Sequence, residues 1–250
     1  MKSRLFIALA AILILIAGSL ILWKHLSPAS ERDLDKPKRV AVRPKVSSVS
    51  VFGSAAEEES VKELMTFLGD AGGVAVTRAA TLEAGIVSSA DILILLLDSP
   101  DLTAAGPYDV RLLRNRKVIG IGYGAAKLFE NARLKIAAGK CAHGVPGRPG
   151  IVIQRNTLLD HTAFPEAITL FDPPIIDQDF HNDILFGIYV GEKHPENRVG
   201  IEIVALFSTD SRYAPVTRQG QAVLIGVNSH VGNWSRPFRT FVREMILAFR

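Results

Sequence analysis

Cysteine is nearly absent: one residue, Cys141, in a chain of 250. That excludes an intrachain disulfide framework and any zinc site built mainly on thiolates. Aromatic residues are few, at 7%. After residue 46 the sequence has no stripe of Lys and Arg interleaved with aromatics, which a nucleic-acid-binding face would need. Acidic residues are missing altogether from the first 25 positions. The chain also lacks internal repeats and low-complexity tracts.

What is present is a hydrophobic chain: 48% apolar residues, 22% charged, mean hydropathy +0.23. That composition excludes a disordered, collagen-like or coiled-coil protein. The formal charge is +4 and the pI about 9.3. The positive charge is local. Nine of the 29 Lys and Arg residues lie in the first 45 positions, against three of the 25 acids, which leaves 20 basic and 22 acidic side chains beyond them. The main body is therefore mildly acidic, and nucleic acid is not an expected partner.

Leu5 to Trp23 is one uncharged apolar run, preceded by Lys2 and Arg4. As a helix it would span about 28 Å, close to the hydrocarbon thickness of a bilayer. A secretory signal has a shorter apolar core and a small-x-small cleavage site. Ser27-Pro28-Ala29 is a poor version of one. The expectation is an uncleaved signal anchor over 1–25, with the membrane as partner through residues 5–23. Cleavage would instead give a secreted form. The short basic N-terminus predicts that the domain beyond the anchor is extracytoplasmic, although Lys24, Arg32, Lys36, Lys38 and Arg39 argue the other way. Residues 26–47, with Pro28, Pro37, Pro44 and many charges, read as a tether.

From residue 48 to 250 the pattern is that of one α/β domain. Ser48–Phe52 reads as a strand, and Ser54-Ala-Ala-Glu57 has capping-box spacing before a helix. Val74–Thr77 is a second strand and Thr81–Ser88 a short helix. Asp91–Leu97 is continuous and apolar, like a strand buried on both faces of a parallel sheet. Helix is predicted near Tyr108–Arg114, strand at Val118–Ile121, then a turn at Gly122-Tyr123-Gly124 into a helix over Ala125–Asn131. The second half is richer in strands: Ile151–Gln154, Ile184–Val190, Gly200–Phe207 and Gln221–Val227. Ser235 caps a last helix with an apolar stripe from Phe238 to Phe249. Strand–helix alternation predicts a mostly parallel sheet with helices on both faces, and sites beyond the carboxyl ends of its strands.

The segment Gly120-Ile121-Gly122-Tyr123-Gly124 resembles the nucleophile elbow of the class I glutamine amidotransferase-like superfamily, in which a buried strand ends in G-x-C-x-G and a helix follows. Gly220 to His230, with Trp234, Pro237, Phe238 and Arg239, and Tyr213-Ala-Pro215 before them, resembles the closing segment of its ThuA-like (trehalose-utilisation-type) branch. The resemblance implies a flavodoxin-like three-layer sandwich. It also implies a cysteine nucleophile where this chain has Gly122. His230 matches the base, but Val231 and Gly232 follow where an acidic partner would be expected. Glutaminase chemistry needs a nucleophile and a supported base, so catalysis of that kind is not expected.

Predicted strand ends nominate a pocket of Gly53, Ser54, Asp98, Gly122, Tyr123, Asn228 and His230. It suits a small polar ligand or a protein partner, and nothing in the sequence calls for a cofactor. Tyr123 is either a pocket wall or a packed aromatic. Cys141, two residues before His143, has no elbow and reads as a free thiol. His194-Pro195-Glu196 reads as a surface turn. His161 and His25 carry no argument. Asp177, Asp179, His181 and Asp183 alternate and could hold a hard divalent cation, but Pro173-Pro174 favours a polar loop. Two rivals to a binding domain stay open: a hydrolase on a carbohydrate-like substrate using His230 and a carboxylate or a metal, and a structural scaffold at the membrane.

Overall fold

Valines alternate with serines through β1 (Ser47–Gly53), so that Val49 and Val51 face one side of the sheet and Ser50 and Phe52 the other. A computed structural model describes residues 47–70, 74–99, 109–137, 141–143, 150–173 and 185–249. The expected anchor, the tether as far as Val46, His25 and the alternating acidic run from Asp177 to Asp183 lie outside the described residues; Ser47, expected in the tether, opens β1. Among the described residues no helix is long and apolar enough to cross a membrane.

Helix α1 (Glu58–Asp70) follows β1 and buries Val61, Leu64 and Leu68 at helical spacing. β2 (Val74–Arg78) and α2 (Leu82–Val87) come next, with the Thr81 hydroxyl accepting the Ala84 N–H at the start of α2. β3 (Ile92–Leu96) is buried at every position. The helix expected near Tyr108–Arg114 is a 3-10 segment, Val110–Asn115, with Asp109 as its cap. β4 (Val118–Ile121) leads into α3 (Tyr123–Asn131).

The second half contributes β5 (Cys141–His143), β6 (Gly150–Ile153), β7 (Ile168–Thr169), β8 (Phe186–Tyr189), β9 (Glu202–Phe207), β10 (Tyr213–Ala214), β11 (Val216–Gln219) and β12 (Ala222–Ile225). Helix α4 (Arg236–Ala248) closes the chain. Ser235 caps it, accepting the Phe238 N–H at 3.1 Å, and Pro237 sits in the first turn, where a missing N–H costs nothing.

The main sheet has the order β2-β1-β3-β4-β12-β11-β9-β6-β7. The first five strands are mutually parallel and the last four continue antiparallel. The sheet is therefore mixed, and its parallel half has the strand order of flavodoxin-like folds. A small second sheet, β10-β8-β5, is antiparallel.

Alternate residues of β3 divide the core. Ile92, Ile94 and Leu96 pack with α1 and α4; Leu93, Leu95 and Leu97 pack with α2 and α3. This is a three-layer arrangement, helices on both faces of the sheet. Phe238, Phe241, Val242, Met245 and Ile246 are the buried stripe of α4, each worth about 1.5–3 kcal/mol of burial.

Candidate functional site

β1, β3, β4 and β12 run parallel, so their carboxyl ends open on one edge of the sheet. From β1 the chain crosses to β2 on one side and then returns over β1 to β3 on the other. The switch point between β1 and β3 is where such folds place ligands. Here the two strand ends are tied together. Glu57, 4% exposed, accepts the Ser54 N–H at 2.9 Å on one carboxylate oxygen and the Asp98 N–H at 3.1 Å on the other. The Ser54 hydroxyl also donates to Glu57. The capping-box carboxylate thus serves its own helix start and reaches across to β3.

Asp98 faces the end of β12. Its carboxylate accepts the Ser229 N–H at 2.9 and 3.0 Å and the Ser229 hydroxyl at 2.7 Å. Burial raises the Asp98 pKa above its usual value; the Ser229 hydrogen bonds and the His230 charge oppose that, and the Glu57 charge adds to it. Two half-buried or buried carboxyl groups therefore sit close at the strand ends, and the chain donates its own N–H and O–H groups to both.

The sharp turn from β4 into α3 is present in the backbone. Gly122 caps α3 with φ +92°, a conformation that L side chains avoid. A Cβ built there would lie 2.3 Å from the Leu97 carbonyl oxygen and 2.4 Å from Asp98 Oδ1. The space a side chain at position 122 would need is filled by the end of β3. The first amides of α3 are engaged as well: the Gly122 N–H donates to Ile225 O at 3.3 Å and the Ala125 N–H to Leu97 O at 3.2 Å.

The sequence-nominated residues separate into two groups. Ser54, Asp98 and Gly122 come together with Glu57 and Ser229. Gly53 is buried behind them, where a Cβ would lie 2.6 Å from Val61 Cγ2. Asn228 is 6% exposed; its carbonyl accepts the Trp234 indole N–H at 3.1 Å, while its buried side-chain oxygen has no partner among the described residues. His230 and Tyr123 are placed differently. His230 is exposed and caps a 3-10 turn, Val231–Asn233, through its backbone rather than its ring. It acts on Asp98 through its charge, and its ring makes no hydrogen bond to a carboxylate among the described residues. Tyr123 is half-buried, edge-on to Phe186 at 5.6 Å, with the Lys127 ammonium 5.6 Å from its ring centre. It is a packed aromatic at the rim.

Glu57 and Ser229 are the members of the cluster that sequence reasoning misses. Glu57 is legible as a helix cap, which hides its second contact. Ser229 lies between Asn228 and His230, whose larger side chains draw attention away from it. Cys141 belongs to β5 of the small sheet, opposite Ile188 of β8, not to a parallel strand end. His194 is exposed, with its ring 3.0 Å from Glu196, in a surface turn.

No family model matches the chain, and no curated protein matches it. Among solved structures it is similar to a Thermoplasma acidophilum protein described provisionally as a subunit of GMP synthase, at 13% identity and a TM-score of 0.49, over 81% of this chain and 94% of that one.

Proposed function

We propose that this chain is an amidotransferase-like domain, held at the membrane by residues 1–25 and a tether over 26–47, that works by binding rather than by glutaminase chemistry. The observation that carries this reading is the contact between Gly122 and Asp98. Position 122 lacks a nucleophile, and the Asp98 carboxylate and Leu97 carbonyl occupy the volume where one would project. His230, the residue that resembles the base, is exposed and has no hydrogen-bonded acid among the described residues.

The test is ammonia release from glutamine by the full chain in detergent, alongside Gly122→Cys and Cys141→Ala. The expected result is no turnover from any of the three. Turnover by the natural chain overturns it, and its loss in Cys141→Ala would name the nucleophile. Membrane attachment is tested separately by alkaline carbonate extraction of the expressed chain, and its orientation by protease accessibility of intact cells; the expectation is retention in the membrane with the domain accessible from outside.

One observation favours an enzyme. Asp98 has a raised pKa and feels the His230 charge, as a general acid would. Its carboxylate is already engaged by three Ser229 contacts, which leaves it poorly placed to exchange a proton with substrate. A binding role suits that arrangement better.

A further inference from the structure

β9 carries apolar residues on both faces. Val204, Ala205 and Phe207 are buried on the face that packs with α4. Ile203 and Leu206, with Ile201 ahead of them, turn to the opposite face. Over the parallel half that face is covered by α2 and α3. Over β9 the cover is incomplete. Ile201, Ile203 and Leu206 are half-exposed, and Val199 just before them is 61% exposed. The three half-exposed residues, with Val190 just past β8, form the apolar part of an open groove of about 380 Å³. That volume falls in the range of small-ligand sites, roughly 300–1,000 Å³. Aliphatic surface left in water is a cost that an apolar ligand removes.

The rest of the groove is cationic. Arg198 ends a 3-10 turn, Pro195–Arg198, and donates its Nε–H to Val190 O, which fixes its guanidinium at the groove. Arg155, just past β6, lines the groove as well. Neither arginine has an ion pair among the described residues. The acid in the lining is already engaged: Glu202 pairs with Arg218 at 3.3 Å and accepts the Thr157 hydroxyl at 3.0 Å. Glu196, two residues from Arg198, pairs with His194 at 3.0 Å. An aliphatic floor therefore meets two uncompensated guanidinium groups.

We propose that this groove binds a small amphipathic carboxylate, with its aliphatic tail along Ile201, Ile203 and Leu206 and its charge at Arg155 and Arg198. Guanidinium matches carboxylate through paired, parallel N–H···O bonds. Charge complementarity selects an anion over a neutral or cationic tail, and the floor selects a tail over a bare anion. The groove belongs to the antiparallel half of the sheet, outside the strand-end cluster, and does not depend on the domain being catalytic or not.

The experiment is methyl NMR on the full chain in phosphatidylcholine nanodiscs, labelled at Ile and Leu, with hexanoate, acetate, hexanol and hexylammonium as probes. Hexanoate should shift the Ile201, Ile203 and Leu206 methyl signals saturably. Acetate, without the tail, should need about tenfold more or higher to do so. Hexanol should bind about tenfold more weakly or less, and hexylammonium should leave the signals in place. In Arg155→Gln/Arg198→Gln the hexanoate affinity should fall about tenfold or more, to that of hexanol. Core methyl signals such as those of Leu93 and Leu95 report whether that variant keeps its fold. If they move, Arg155→Gln alone decides, since Arg155 is exposed and makes no hydrogen bond to the rest of the fold among the described residues; its expected loss is about threefold or more. Floor methyls that hexanoate does not move, acetate or hexanol binding as tightly as hexanoate, or undiminished hexanoate binding in a folded variant overturns the proposal.

Discussion

The two halves of the main sheet obey different rules. In the parallel half, β3 is buried at all five positions, and each strand end opens into a loop that meets its neighbours. The antiparallel half begins at β11, which a tight turn at Gly220-Gln221 joins to β12, and its β7 is two residues long. A crossover connection puts distant residues side by side at the strand ends; a hairpin puts sequence neighbours there. Tertiary contacts that define a site therefore accumulate on the parallel edge, where Asp98 meets Ser229 across 131 positions of sequence.

Two glycines with positive φ break this comparison open most directly. Gly122, on the parallel edge, has φ +92° and backbone and carboxylate oxygens within 2.4 Å of where a Cβ would be. Gly220, in the hairpin, has φ +56° and nothing within 4 Å. Gly220→Ala should cost only the left-handed backbone, about 1–2 kcal/mol. Gly122→Ala adds overlap with β3 and should cost about 3 kcal/mol or more, or prevent folding. Chemical denaturation of both variants in the full chain measures the difference. Equal losses would mean that backbone conformation alone dictates Gly122.

Next in size is Glu57→Ala. It leaves the Ser54 and Asp98 amides without their shared acceptor, at a cost of about 2 kcal/mol or more, and unties β1 from β3. Hydrogen exchange should then rise at both amides. Protection that persists at Asp98 would show that the switch point is held by packing instead.

Ser229→Ala is smaller, about 1–3 kcal/mol, and carries a pH signature. The Asp98 pKa is raised in the fold, chiefly by burial, from a usual 3.8. The folded state thus favours the protonated acid. Its contribution is fully present below the unfolded pKa and is lost as pH rises through the folded one. The stability of the natural chain relative to Asp98→Asn should decline as pH rises above 3.8. Removing the Ser229 hydroxyl, which favours the carboxylate, should extend that decline to higher pH, while the Ser229 N–H stays in place. A difference that is flat with pH would mean that Asp98 titrates alike in folded and unfolded chains.

The same contrast explains what the sequence discloses. Asp91–Leu97 announces β3 because a strand buried on both faces needs apolar residues at every position. Ser54-Ala-Ala-Glu57 and Ser235 announce helix starts because capping is local. β7 and β10 are two residues each, and their existence depends on partners rather than on their own pattern. The site is legible to the extent that strand ends are. Gly122 can be named from its motif, but its close approach to Asp98, 24 positions away, is a product of parallel pairing between β3 and β4. His230 illustrates the opposite case: the motif places it at a strand end, yet the chain turns into a 3-10 segment there and leaves the residue exposed.

The smallest effect belongs to the outer edge of the parallel half, where charge rather than packing meets solvent. Arg78 at the end of β2 makes two hydrogen bonds to Glu58 at the start of α1, at 2.9 and 2.7 Å, and Lys62 joins from the next turn at 3.1 Å. These contacts, Arg78 first, lower the Glu58 pKa from 4.5 to about 2. A lowered carboxyl pKa stabilises the fold above the unfolded value and loses that contribution as pH falls from 4.5 toward 2. Both partners are exposed to water, which screens the pair. Arg78→Ala should accordingly return the Glu58 titration, followed by carboxyl carbon NMR, toward 4.5 while the denaturation midpoint at neutral pH barely moves. A large shift in that midpoint would mean that the edge of the parallel half is fastened by its ion pair, and that burial is not what separates the interior strand ends from the rim.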